Sequence, residues 1–139
     1  MNNPIEFTLT NEQFTFLRDK YPNMRSNHDI ANFGVSVVKL YLETKGYKDI
    51  QIEKDKIDIQ GKLNNEFVKF EVKSTVDTNI SFDKLKVSSS KDYRLLVEEG
   101  MEIIRVCKVG KQSLDIYILK YDKDFTLKEE PRWRLVRKK

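Results

Sequence analysis

The stretch that most restricts how this chain folds is KIDIQGKLNNEFVKFEVKST, Lys56 to Thr75. Apolar residues alternate with polar ones on both sides of a short polar break: Ile57 and Ile59 before it, Val68, Phe70 and Val72 after it. A period of two marks strands that lay one face on a core. Asn64 and Asn65 tolerate positive φ, so the break reads as a tight hairpin turn. Parity then sorts the polar residues. Asp58 and Gln60 lie opposite the isoleucines, and Phe67, Lys69, Glu71 and Lys73 lie opposite Val68, Phe70 and Val72. If both apolar sets meet one core, Asp58, Glu71 and Lys73 emerge together on the other, solvated face. Asp55 has the wrong parity to join them.

The flanking sequence supplies helices for such a sheet. TNEQFTFLRDKY opens with Thr10 and has Gln13 three positions on, a capping box that predicts a helix over Asn11 to Lys20. Pro22 disfavours helix at Tyr21. In NHDIANFGVSVVKLYLETKGY, Ile30, Phe33, Val37, Leu40 and Tyr41 form one apolar stripe, widened by Val35, Val38 and Leu42. Asn27 is the expected cap and Gly46 the expected stop. KDIQIEK adds a strand before the hairpin. Beyond it, Ser89 with Asp92 resembles a second capping box, for a helix over about Ser90 to Glu99. MEIIRVCKVG and SLDIYILKYD read as two further strands. The predicted order is α, α, β, β, β, α, β, β. The helix after the third strand is long enough to return the chain to the sheet in parallel. This is an α/β class fold, more closely an α+β arrangement with a mixed sheet.

Size and composition fit one domain spanning 1–139. Apolar residues make up 39% and charged residues 35%, enough apolar content for a packed core. One cysteine, Cys107, excludes an intrachain disulfide and suits a reducing, cytoplasmic setting. No apolar run reaches membrane-spanning length, and the start of the chain lacks the pattern of a secretory signal. A net charge of +4 nudges towards a polyanionic partner. The tail PRWRLVRKK holds five basic residues and no acid, which suits either a phosphate contact or a frayed end.

Two carboxylates on adjacent strands, Asp58 and Glu71, suit Mg²⁺ or Mn²⁺, which take hard oxygen ligands and keep bound waters. The Val72 carbonyl is a candidate third ligand. Lys73, on the same face, would orient an attacking water or meet charge building on a phosphate. The same residues also suit plain cross-strand ion pairs on a half-exposed sheet.

Asp58 together with Glu71-Val72-Lys73, separated by a hairpin and preceded by an amphipathic helix, resembles the PD-(D/E)XK nuclease superfamily. FEVKST, a polar segment, a Ser-capped helix and the strand IIRV are similar to small nuclease-like domains of defence and mobile-element proteins. The resemblance covers about residues 27–108. It implies a restriction-endonuclease-like αβββαβ core, here with an extra N-terminal helix and a C-terminal strand. It implies Mg²⁺- or Mn²⁺-dependent hydrolysis of DNA phosphodiester bonds, with Asp58, Glu71 and the Val72 carbonyl on the metal and Lys73 assisting the water. Many members carry a glutamate on the first core helix. Here ANFGVSVV has no acid from Ala31 to Val38; Asn32 and His28 are the polar residues nearby, and Glu43 is too far along. Ile57 stands where a proline often precedes the aspartate.

Lys69, Lys84, Lys86, Ser88, Ser90, Lys91 and Arg94 are candidate nucleic-acid contacts, with a solvated loop and helix face as the plain alternative. Trp133, between Arg132 and Arg134, suits base stacking or pinning of the tail. His28 is expected to face solvent, and Cys107 to fill core. No phosphate-binding GxxxxGK loop is present, so no nucleotide cofactor is expected. Cutting two strands takes two sites, which makes a homodimer compatible with the nuclease reading. The rival readings are a catalytically degenerate nucleic-acid-binding module and an interaction subunit of a defence or phage assembly.

Overall fold

Two caps set the helices in place. In a computed structural model, which describes residues 3–54, 57–87, 90–129 and 135–138, Thr10 accepts the Gln13 N–H. The Gln13 side chain in turn accepts the Thr10 N–H, closing the predicted capping box of α1, Asn11–Lys20. Helix α2, Asn27–Thr44, starts at its expected cap, so the cap itself lies one residue earlier. Ser26, not Asn27, accepts the Asp29 N–H, and Asn27 is already helical. Ser and Asn cap about equally well, so the sequence alone did not separate them.

The strands form one six-stranded sheet. They are β1 (Ile5–Thr8), β2 (Lys48–Lys54), β3 (Ile57–Leu63), β4 (Glu66–Ser74), β5 (Glu102–Cys107) and β6 (Ser113–Leu119), in the spatial order β1-β6-β5-β4-β3-β2. Helix α3, Ser90–Val97, links β4 to β5, which pair in parallel; the remaining pairs are antiparallel. Asn64 and Asn65 both have positive φ, 51° and 65°, as a two-residue turn between β3 and β4 requires.

The predicted order needs one correction at its start: a strand precedes the first helix. β1 is an edge strand of four residues whose partner, β6, lies more than a hundred positions away. So short a run carries no periodic signal of its own.

A second correction concerns the layers. Ile59, Phe70, Ile104 and Val106 pack with α2 and with Leu17 of α1. Ile103 and Leu119 pack instead with Leu95 and Leu96 of α3 and with Met101. Neighbouring residues 103 and 104 point to opposite faces of β5, so the sheet is covered on both sides. The face expected to be solvated is roofed by α3 and by the connection from Thr75 to Val87. That connection contains a single 3-10 turn, Phe82–Lys84.

Arg105 holds this roof. It is buried, and its Nε donates to the Ile80 carbonyl at 2.9 Å. Lys84 Nζ and Ser81 Oγ both donate to Asp77 Oδ2, at 2.7 and 2.8 Å. On the opposite face the approach of α2 to β4 depends on a glycine. A Cβ on Gly34 would fall 1.7 Å from Ser74 Oγ. Among the described residues no helix is long and apolar enough to cross a membrane.

Candidate active site

Parity places Glu71 and Lys73 as expected, on the face of β4 opposite Phe70 and Val72. The environment differs from the expected solvated surface. The Glu71 side chain is only 8% exposed and that of Lys73 28%, because α3 and its leading connection cover them. Lys73 Nζ lies 3.0 Å from Glu71 Oε1. Glu71 Oε2 is buried and has no hydrogen-bond partner among the described residues.

Asp58 arrives by a route that parity does not describe. The ladder between β3 and β4 runs from the turn to Ile59 and Phe70 and ends there. In the alternation set by a two-residue turn, Val72 is the next position due to exchange backbone bonds with β3. Instead its N–H donates to Asp58 Oδ2 at 2.9 Å. A carboxylate oxygen thus stands where a main-chain carbonyl would. The N–H and C=O of one strand residue point the same way, so the Val72 carbonyl is aimed at the same gap. Beyond the ladder's end parity loses its hold on Ile57, which packs with α3 and not with Ile59 on the other face.

Asp58 and Glu71 line a cavity of about 30 Å³ together with Ile57, Phe70, Met101 and Asp92. Asp92, in the first turn of α3, is the residue that sequence reasoning missed. The sequence pairs it with Ser89 as a cap partner, and an acid in the first turn of a helix has a sufficient local reason to be there. Ser88 and Ser89 lie outside the described residues, as do Asp55, Arg132, Trp133 and Arg134.

Burial is the main cause that pushes the Asp58 carboxyl above its ordinary range. The Val72 N–H and Lys73 pull it down, and Asp92 and Glu53 push it further up. Burial likewise raises Glu71, against Lys73, with Asp92 and Asp58 adding to the rise. The pocket therefore gathers carboxylates in a poorly solvated place, with the Lys73 ammonium bonded to Glu71.

A divalent ion suits that chemistry: hard oxygen donors, a buried carboxylate oxygen without a partner, and carboxylates whose charge burial disfavours. Among the described residues, however, no group of three or more metal-capable side chains is disposed to share one ion. An ion here would rest on Asp58, Glu71, the Val72 carbonyl and water.

A second hollow of about 100 Å³ adjoins the site. Lys73 and Lys86 line it, among Phe82, Leu85, Ile103, Leu119 and Phe125. Of the described candidate phosphate contacts, Lys86 alone lines a cavity with Lys73. Lys84 is engaged by Asp77. Lys69, Ser90 and Arg94 are exposed, Lys91 is half-buried, and none of these four lines either cavity. Gln60, expected to face the site, is buried and donates to Gln51 across β2.

His28 and Asn32 of α2 line neither cavity. His28 has a side chain 79% exposed beside Asp29, and Asn32 donates back to the His28 carbonyl. Cys107 is buried, with Sγ 3.3 Å from the Asn79 carbonyl, and burial raises its thiol above the ordinary value. Comparisons with protein-family models, curated proteins and solved structures find no match for this chain.

Proposed function

We propose that this protein is a Mg²⁺- or Mn²⁺-dependent nuclease that hydrolyses DNA phosphodiester bonds, on a restriction-endonuclease-like core running from α2 to β5. The observation that carries the reading is Glu71 Oε2, a buried carboxylate oxygen without a partner in a cavity shared with Asp58. A buried acid left in that state costs stability, which a site kept for a cation accounts for. The order α2, β2, β3, β4, α3, β5, with β4 and β5 parallel, agrees with the core that Asp58 and Glu71-Val72-Lys73 suggest.

In this reading Asp58, Glu71 and the Val72 carbonyl hold the ion. When bound, the ion acidifies a water and neutralises charge on the phosphate. Lys73 stands between the buried carboxylate and the hollow, where its ammonium orients the water or meets a phosphate oxygen. Lys86 contributes positive charge on the same side, and exposed Lys69 and Arg94 extend it along a nucleic-acid backbone. A single buried thiol fits work in a reducing cytoplasm, and two sites for two strands would come from a homodimer.

A second reading is a nucleic-acid-binding module without catalysis. It is favoured by the Lys73 ammonium already seated on Glu71 and by the lack, among the described residues, of a three-ligand cluster. Cleavage assays with Mg²⁺ or Mn²⁺ on plasmid, single-stranded and branched DNA separate the two. Cleavage by the wild type, lost in folded Asp58→Ala and Lys73→Ala, supports the nuclease. Salt-dependent binding without cleavage supports the module.

A further inference from the structure

We propose that Asp92, on α3, is the third carboxylate of this site and holds the divalent ion through one of its bound waters. The inference rests on the metal-dependent reading above and adds a residue to it. Helix α2 brings no acid to the cavity, whereas α3, which crosses the opposite face of the sheet, brings Asp92 to the same 30 Å³ space as Asp58 and Glu71.

Acids drawn together do not by themselves make a site. Here Glu71 supplies the independent sign: its side chain is more than nine-tenths buried, it lines the cavity, and its Oε2 has no partner.

The three side chains do not converge on one point, so Asp92 stands outside the inner shell. Mg²⁺ suits that arrangement, because it gives up its waters reluctantly and its outer-shell partners are carboxylates that hold those waters. Asp92 would accept hydrogen bonds from a coordinated water and fix its orientation. That makes it a positioning residue.

The test is Mn²⁺ titration of the full chain without DNA, followed by electron paramagnetic resonance of the free ion and repeated with Mg²⁺ by calorimetry. Asp92→Asn is expected to weaken ion binding about 10–100-fold, Asp92→Glu to recover part of it, and Glu98→Gln, a charge change on the exposed residue just past α3, to leave it unaltered. Binding by Asp92→Asn equal to wild type overturns the inference while the metal-dependent reading stands. A wild type that binds neither ion overturns both. Circular dichroism checks the fold of each variant. If Asp92→Asn fails to fold, Asp92→Ser takes its place: weakened ion binding is again expected, and binding equal to wild type again overturns the inference.

Discussion

Asp58 and Val72 are joined by a bond that belongs to no strand ladder: the Val72 N–H donates to Asp58 Oδ2 at 2.9 Å, where a β3 carbonyl would ordinarily accept it. One contact opens the sheet between β3 and β4 and fixes an acid in the opening. It also turns the Val72 carbonyl towards the same gap. Position and chemistry are therefore coupled in one residue, and different substitutions separate them.

Asp58→Asn keeps an acceptor for the Val72 N–H and removes the charge. Asp58→Ala removes both and leaves a buried donor unpaired, at a cost of about 1–3 kcal/mol. Urea unfolding should rank Asp58→Asn above Asp58→Ala by that amount, while both lose divalent-ion binding. An alanine variant as stable as the asparagine one would show that the bond contributes nothing.

The raised carboxyls of Asp58 and Glu71 set a pH dependence of definite sign. A carboxyl whose folded value lies above its unfolded one binds more protons in the folded state. Its contribution is fully present below the unfolded value, 4.5 for Glu71, and is lost as pH rises through the folded value. Wild type should therefore lose stability relative to Glu71→Gln as pH rises from about 4 towards neutrality. Apparent affinity for Mg²⁺ should rise over the same window, because the ion competes with protons. Asp77, lowered chiefly by its bond from Lys84, acts in the opposite sense: its contribution is present above 3.8 and lost as pH falls through its folded value. A wild type that gains on Glu71→Gln with rising pH would contradict the first assignment.

How far the sequence revealed this arrangement depended on how local each cause was. Asn64-Asn65 and the stripe of α2 declare themselves within a few residues, and the structure has both. Parity placed Glu71 and Lys73 because they lie inside a continuous strand. It placed Asp58 on the right side for an incomplete reason, since the ladder stops before it, and it misplaced Ile57. β1 was illegible because its four residues depend on β6. The cover over the site was illegible because it follows from α3 crossing the sheet, a long-range packing event. The same cause brings in Asp92, whose place near a helix start already had a local explanation.

Arg105 and Ile80 hold the cover down. Arg105→Met keeps most of the side-chain volume and loses the bond to the Ile80 carbonyl. A hydrogen bond from a charged donor contributes about 1.5–3 kcal/mol. Amide exchange of Lys84 and Leu85, whose N–H groups bond within the 3-10 turn, should accelerate about ten- to hundredfold. Amides of Ile104 and Val106 in the central strand should keep their rates. Unchanged exchange at Lys84 and Leu85 would mean that Asp77, Lys84 and Ser81 hold the segment without Arg105.

Gly34 of α2 lies against Ser74 of β4, the strand that carries the site, with no room between them for a side chain at position 34. A Cβ at position 34 would meet Ser74 Oγ at 1.7 Å and Ser74 Cβ at 2.7 Å. Rotating the hydroxyl relieves only the first clash. The second yields only if helix or strand moves, and Ser74 is the residue next to Lys73. Gly34→Ala should destabilise the fold by about 1–3 kcal/mol, the usual cost of overpacking, and weaken divalent-ion binding by displacing β4. Ser74→Gly removes both obstructing atoms and exposes the pair to a double-mutant cycle. The double variant should be more stable than Gly34→Ala alone, with a coupling of about 0.5–3 kcal/mol. Ser74→Gly alone should lose a little stability, because glycine weakens a strand interior. Additive losses in the double variant would show that the clash is not what excludes a side chain at position 34.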